Sequence, residues 1–167
     1  MTTPSILVID VGTTGLRAAL VNGAGQITDV QYCKNPPSTP FSGLVEFDAM
    51  HMFTAAREAA LSVLQRNPKS AIGIGITNQR ASTVVWNRIT GEPLGPALGW
   101  QDLRTVMECI TARSEHGLMF APNQTATKAA WMLKNYGAQL EEEIQRGDIC
   151  IGTIDTWLTW KLTAGKS

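Results

Sequence analysis

Through the first half of the chain, short apolar runs rich in β-branched residues are separated by polar turns. That pattern predicts strands more readily than helices. Residues 5–10 (SILVID) and 16–21 (LRAALV) predict two strands, and Asn22-Gly23 predicts a tight hairpin leading into a third at 26–33 (QITDVQYC). A Pro/Ser-rich loop, KNPPSTPFSG, follows. The period then lengthens. Asp48 is a good N-cap for a helix reaching about Gln65, with Met52, Ala56, Ala60, Val63 and Leu64 on one face and Asn67-Pro68 as the stop. Residues 71–77 (AIGIGIT) alternate isoleucine with glycine, which predicts a central strand closely approached by another backbone.

Residues 82–86 (STVVW) and about 94–98 predict strands joined through the Thr90-Gly91 turn. After them the pattern turns helical, at roughly 102–115, 125–136 and 138–146. A short strand, ICI, precedes a last helix at 154–163 capped by Thr153. Strands first, then helices with returning strands, indicate an α/β or mixed α+β architecture. The last helix carries Ile154, Trp157, Leu158 and Trp160, with few residues after it. So apolar a surface near a terminus predicts missing partner elements, and with them self-association into a homo-oligomer.

Composition narrows the class. At 167 residues and 44% apolar content, the chain is one domain or part of a larger one. Fourteen basic side chains balance fourteen acidic ones, so nothing favours nucleic acid or an anionic membrane as partner. No apolar run approaches the ~20 residues of a membrane span. The start lacks the basic flank and cleavage site of a secretory signal. Cys33, Cys109 and Cys150 are sparse, odd in number and form no CxxC, which fits reduced thiols and a cytoplasmic location. His51 and His116 lie in different segments, so a structural metal site is not indicated.

The candidate chemistry starts where the first strand is interrupted, at Val8-Ile9-Asp10-Val11-Gly12-Thr13-Thr14-Gly15-Leu16-Arg17. Glycines let a turn approach a ligand closely, and backbone N–H groups and threonine hydroxyls donate to phosphate oxygens. Arg17 can neutralise charge, and Asp10 at the strand's C-terminal edge can hold Mg2+ directly or through water. The same letters also suit an ordinary hairpin turn with an aspartate capping its own backbone. A dinucleotide fingerprint is excluded, because Gly12 and Gly15 lead into a strand rather than a helix. The terminal Gly165-Lys166-Ser167 only mimics a P-loop, since Trp160 occupies the place of that motif's first glycine.

Two further stretches stand at predicted strand ends. In GITNQRASTVVW, Arg80 follows Asn78 and Gln79 and can direct two N–H bonds at hydroxyls or phosphate. A polar loop with one surface ion pair is the plainer account. In LGWQDLRT, the Trp100 indole can cover the apolar face of a polyol, and the Asp102 carboxylate can accept hydroxyl protons. Equally, Trp100 can be core and Asp102 a helix cap. The Trp157 and Trp160 pair reads as packing.

Taken in this order, with GLVEFDAM at 43–50 and GTIDTWLTWKLTAGK at the end, these stretches resemble the N-terminal part of the FGGY carbohydrate kinases, and most of all their glycerol-kinase branch. The likeness runs from about residue 5 to 165. It implies the N-terminal part of a ribonuclease-H-like, actin-like ATPase fold and transfer of the ATP γ-phosphoryl group to a sugar or polyol hydroxyl, with Mg2+. Carried over position by position, Asp10 would be the metal-associated acid. Gly12, Thr13 and Thr14 would hold phosphates with support from Arg17, Arg80 would bind substrate hydroxyls, and Trp100 would line the pocket. Such chemistry rests on positioning and on electrostatic stabilisation of the transferring group.

Three departures qualify the resemblance. Where glycerol kinases follow the arginine with a glutamate, this chain has Ala81. A charge-assisted hydrogen bond is worth roughly 1.5–3 kcal/mol, so its loss would weaken glycerol selection about ten- to a hundredfold. The substrate-lining tyrosine of the family falls at Asn123, within APNQTATKAAW. Together these favour a larger or different polyol, with Asp102 taking over part of hydroxyl recognition. The third departure concerns length. The family's general base and its second, ATP-binding domain lie beyond residue 167, so the 167-residue chain is expected to be an inactive N-terminal fragment without a catalytic residue of its own. The competing reading is a non-catalytic sensor or interaction module that keeps the fold.

Overall fold

The computed structural model describes residues 4–137 and 140–166, which form two compact units. One takes the chain through Pro36 and again His51–Gln79, and the other takes Pro37–Met50 and Arg80 onward.

The first unit is built on β1 (Ser5–Val11), β2 (Gly15–Asn22), β3 (Ile27–Lys34) and β5 (Ala71–Asn78), in the order β3-β2-β1-β5. The first three strands form antiparallel pairs, and β5 lies parallel to β1. Period-2 burial along β1 sends Leu7, Ile9 and Val11 into the core while Ile6 stays outside. The link to the parallel strand is α1 (Ala49–Arg66), which buries Met52, Ala55, Ala56, Ala59, Ala60 and Val63. Spacing of three and four puts these side chains on one stripe, and most of them are small. At the end of α1, Arg66 grips Asp29 with two hydrogen bonds of 2.9 and 3.0 Å. The arginine, aided by Asn67 and working against desolvation, holds the Asp29 carboxyl below its usual range.

The hairpin after β2 is wider than Asn22-Gly23 predicts. Asn22 and Gln26 are the bonded ends, and Gly25 takes the positive φ of 77°. Nor is β5 central. Within its four-stranded sheet it is an edge strand, with Ile72 and Ile74 exposed. What nears its glycines is the Ile6 side chain, 3.4 Å from where a Cβ on Gly73 would stand, rather than a backbone.

The second unit holds β4 (Glu46–Phe47), β6 (Thr83–Asn87), β7 (Ala97–Leu98) and β8 (Ile149–Thr153), in the order β4-β7-β6-β8 with all pairs antiparallel. Its helices are α2 (Val106–His116), α3 (Thr125–Tyr136), α4 (Glu141–Arg146) and α5 (Ile154–Leu162). The helix expected from 138 is seen from Glu141, and residues 138–139 lie outside those described. Strand β6 is the axis of the core, with Val84, Val85 and Trp86 all at 1% exposure or less.

The last helix overturns the expectation of an unpartnered apolar face. Ile154, Trp157 and Leu158 are fully buried, and the Trp157 indole donates to the Ala49 carbonyl at 3.0 Å. Trp157 meets Trp86 edge-on at 5.3 Å and stacks on Trp160 at 6.0 Å. Those side chains are satisfied inside their own unit, so this helix supplies no argument for self-association. Thr153 precedes it without capping its backbone and donates instead to Asp155 Oδ1. The Gly165 N–H returns to the Trp160 carbonyl at a positive φ of 73°, so the glycine of the mimic motif closes a helix instead of opening a phosphate loop. Among the described residues no helix is long and apolar enough to cross a membrane.

Candidate functional site

The turn between β1 and β2 is closed by the Gly12 N–H donating to the Gly15 carbonyl at 2.9 Å. A Cβ on Gly15 would run into the outer end of the Tyr32 ring, so any larger residue there requires that half-exposed side chain to move. Both flanks of the turn are tied to neighbouring strand ends. Gln79 N–H donates to the Val11 carbonyl at 2.8 Å, and Asn35 N–H to the Thr14 carbonyl at 3.1 Å. Asp10 and Arg17 are cross-strand partners, joined by a 3.2 Å ion pair that is half exposed on both sides. The guanidinium also lies 5.4 Å from the Tyr32 ring centroid. Thus Asp10, Gly12, Thr13, Thr14 and Arg17 lie together at the end of the two central strands of the first unit's sheet. Asp10 offers a partly exposed hard oxygen donor. That suits magnesium, which keeps most of its waters and needs one or two carboxylates besides phosphate oxygens. No cluster of three or more His, Cys, Asp or Glu side chains is found among the described residues.

Within the second unit, Arg80, Ala81, Trp100, Asn123, Gln124 and Thr125 line an open cavity of ≈ 670 Å³. Its walls come from three places. The Arg80–Ala81 turn leads into β6, the Trp100 loop follows β7, and Asn123–Thr125 open α3. Ala81 sits at φ 63°, the left-handed region that costs an alanine roughly 1–2 kcal/mol. Its carbonyl accepts from Lys128 Nζ at 3.3 Å and from Thr83 Oγ1 at 3.2 Å. The Trp100 N–H donates to the buried Ser82 hydroxyl at 3.0 Å, leaving the indole 41% exposed at the cavity. Arg80 is exposed and forms no ion pair among the described residues.

The structure brings Arg80, Ala81, Trp100 and Asn123 together and sets Asp102 apart. The Asp102 side chain is wholly buried, and both of its oxygens are taken. They accept from Val45 N–H at 2.7 Å, Arg104 N–H at 3.0 Å, and Arg104 Nε and Nη2 at 2.8 Å each. Burial pushes this carboxyl up, but Arg104 and the backbone donors outweigh it and hold it below the usual range. A carboxylate so committed has no lone pair left for a substrate hydroxyl. Its work is to fix the segment after Trp100. It also explains why α2 starts at Val106 rather than 102, since Asp102 engages Arg104 and Val45 instead of capping a helix. Arg104 reaches on to Glu46 at 2.7 Å and lies over the Trp131 ring at 4.6 Å.

Sequence reasoning missed Lys128 here and, in the first unit, the burial of Gln79. Lys128 is fully buried on α3, and desolvation pushes its pKa down to about 8 despite the opposing field of Asp102. A signal existed, because Lys128 and the fully buried Met132 stand four apart on one helix face. Gln79 is 9% exposed, with both amide atoms buried and unpartnered. Nothing in the letters NQR distinguishes such a glutamine from a solvated one.

With that geometry in place, comparison with known proteins is specific. Residues 5–166 match the model of the FGGY family of carbohydrate kinases, N-terminal domain. The chain is 38% identical over 173 residues to a glycerol kinase of Thermus brockianus, covering 96% of this chain and 35% of the relative. It is equally identical, over 175 residues, to a glycerol kinase of Alcanivorax borkumensis, again covering 35% of that protein. The crystal structure of Plasmodium falciparum glycerol kinase with ADP superposes with a TM-score of 0.88 at 28% identity, over 98% of this chain and 35% of that one. The chain therefore spans about a third of the length of the relatives it matches. The actin-like α/β fold expected from the sequence is the one these kinases share, and this chain belongs to the FGGY family of carbohydrate kinases.

Proposed function

We propose that these residues form the phosphate- and substrate-binding part of an ATP-dependent carbohydrate or polyol kinase. The reaction is transfer of the γ-phosphoryl group to a substrate hydroxyl. The observation that carries this reading is the second unit's cavity, where an exposed arginine, an exposed tryptophan and amide side chains line one space. Those groups suit a polyhydroxylated ligand, with Trp100 covering its apolar face and Arg80 and Asn123 donating to its oxygens.

In the first unit, the Gly12 N–H closes the turn on the Gly15 carbonyl, and Thr13 and Thr14 would present donors to the nucleotide's phosphate oxygens, with Arg17 as the nearby positive charge. Asp10 would hold magnesium, directly or through its water shell. The metal supplies neutralisation of charge on those oxygens. None of the lining residues is a carboxylate, so the proton of the attacked hydroxyl passes to a base outside this set. We assign that base and the adenine-binding domain to the remainder of the enzyme, and expect these residues to be inactive alone. Ala81 and Asn123 leave the cavity roomier and less acidic than a glycerol site with glutamate and tyrosine, which favours a longer polyol or a ketose.

The test is titration of the chain with glycerol and with five- and six-carbon polyols and ketoses, read from the Trp100 indole N–H resonance. Larger compounds should shift it at lower concentration than glycerol. Tighter binding of glycerol than of every larger candidate would overturn the substrate reading. No response to any compound would overturn the pocket assignment, and ATP turnover by this chain alone would overturn the division of labour.

A further inference from the structure

We propose that Lys128 is the positioning residue of the substrate pocket, its ammonium locking the Arg80–Ala81 turn onto the first turns of α3. The inference rests on the pocket assignment above and adds what sets the direction of its arginine.

The two walls that Lys128 joins are both lining walls. Thr125 opens α3 at the cavity, and Lys128 follows one turn later with its side chain fully buried. From there Nζ donates to the carbonyl of Ala81, the residue next to Arg80. The turn needs such a hold. Ala81 occupies the left-handed region, which an alanine leaves readily unless its surroundings fix it. Thr83 Oγ1 reaches the same carbonyl from β6, so two donors from two elements converge on one acceptor. The Trp100 wall is pinned to this turn as well, through its N–H on the Ser82 hydroxyl.

A lysine is a costly choice for this bond. Thr83 already satisfies the carbonyl, and burial works against the ammonium. What Lys128 adds is reach between elements. Thr83 belongs to the same strand segment as the turn and cannot tie it to α3, whereas Lys128 comes from 47 residues away. With the carbonyl fixed, the peptide plane between Ala81 and Ser82 is fixed, and with it the direction in which Arg80 enters the cavity. Lys128 itself is not among the lining residues and acts through Ala81.

The experiment compares the wild-type chain with Lys128→Met, which keeps the length and apolar stem, and Lys128→Gln, which keeps an N–H donor. Two readouts are taken: amide hydrogen exchange along the chain, and affinity for the polyol and ketose panel. Losing a charge-assisted hydrogen bond should speed exchange at Ala81–Thr83 about ten- to a hundredfold in Lys128→Met. Amides of β8 and α5 should keep their rates. Lys128→Gln should fall between, and panel affinity should drop in the same order. Unchanged exchange at Ala81–Thr83 in Lys128→Met overturns the proposal. So does a uniform rise across the second unit, which would mark a merely structural lysine, and so does unchanged panel affinity in a chain that binds. A wild-type chain that binds no compound sinks the kinase reading instead, while the exchange measurement still judges Lys128.

Discussion

Replacing Lys128 with methionine should make the chain more stable at neutral pH, and the pH dependence should show why. The side chain is wholly removed from water, and desolvation lowers its pKa from 10.5 to about 8. That difference corresponds to roughly 3 kcal/mol against folding while the amine is charged in both states. Methionine removes this cost. It forfeits the bond to Ala81, about 1–2 kcal/mol, but orphans nothing, because Thr83 still serves that carbonyl. The expected balance at pH 7 is a variant more stable by about 1–2 kcal/mol.

The sign of the pH effect follows from proton counting. Between pH 8 and 10.5 the unfolded lysine keeps its proton and the folded one has lost it. Stability of the wild type therefore rises with pH across that window. Below pH 8 both forms are charged and the cost is constant. Urea unfolding of both chains from pH 6 to 10.5 measures the difference directly, since other titrating groups such as Tyr136 cancel between them. The advantage of Lys128→Met should be level to about pH 8, shrink above it, and vanish or reverse near pH 10. A variant less stable at pH 7, with a difference flat in pH, would refute the claim that the ammonium is buried at a cost.

The other expectations concern neighbouring parts. Asp102→Asn should cost about 3–5 kcal/mol in urea unfolding, because it strips a buried arginine of a fully enclosed partner and leaves only Glu46. Since the Asp102 carboxyl is depressed in the folded state, its contribution is present above the ordinary carboxylate pKa and is lost as pH falls through the lowered value; acid unfolding of the two chains should converge. Trp157→Ala should cost about 3–5 kcal/mol, enough to unfold a marginal chain near room temperature, as followed by circular dichroism. Arg17→Gln should change stability by less than about 1 kcal/mol, since its ion pair is half exposed, yet weaken any ATP-induced shift at the Gly12–Thr14 amides.

Much of this fold is written in local patterns. The strands β1, β2 and β3 and the stripe of α1 follow from periods of two and three to four, and the structure shows them within a residue or two of expectation. The failures share a cause, which is tertiary contact overriding local preference. Two-residue strands such as β4 are too short to leave a period. Isoleucine and glycine alternation in β5 signals a strand but not its rank in a sheet. The candidate site divides in the same way. Glycines, threonines, an arginine and a tryptophan mark Asp10 through Arg17, Arg80 and Trp100 as candidates by type, and of these Arg80 and Trp100 line one cavity. Lys128 was passed over and Asp102 was noticed for the wrong work, because each is defined by a partner distant in sequence, Ala81 in one case and Val45 in the other.

Those two residues also separate stability from function in the pocket. Arg104 gives Asp102 three hydrogen bonds and the Val45 N–H a fourth, so the two buried charges offset and the pair braces the segment behind Trp100. Among the described residues Lys128 forms no ion pair with a carboxylate. Its bonding partner is a neutral carbonyl that another residue already serves. A charge kept under such conditions lowers the stability of the chain, and strain in the backbone it contacts lowers it further. Costs of that kind concentrate where activity depends on geometry that stability alone would not select. Both costs here fall on one turn, and that turn carries the arginine facing the cavity. The left-handed alanine and the half-compensated lysine are thus two parts of one device, and relieving either should yield a sturdier chain with a less well-defined pocket.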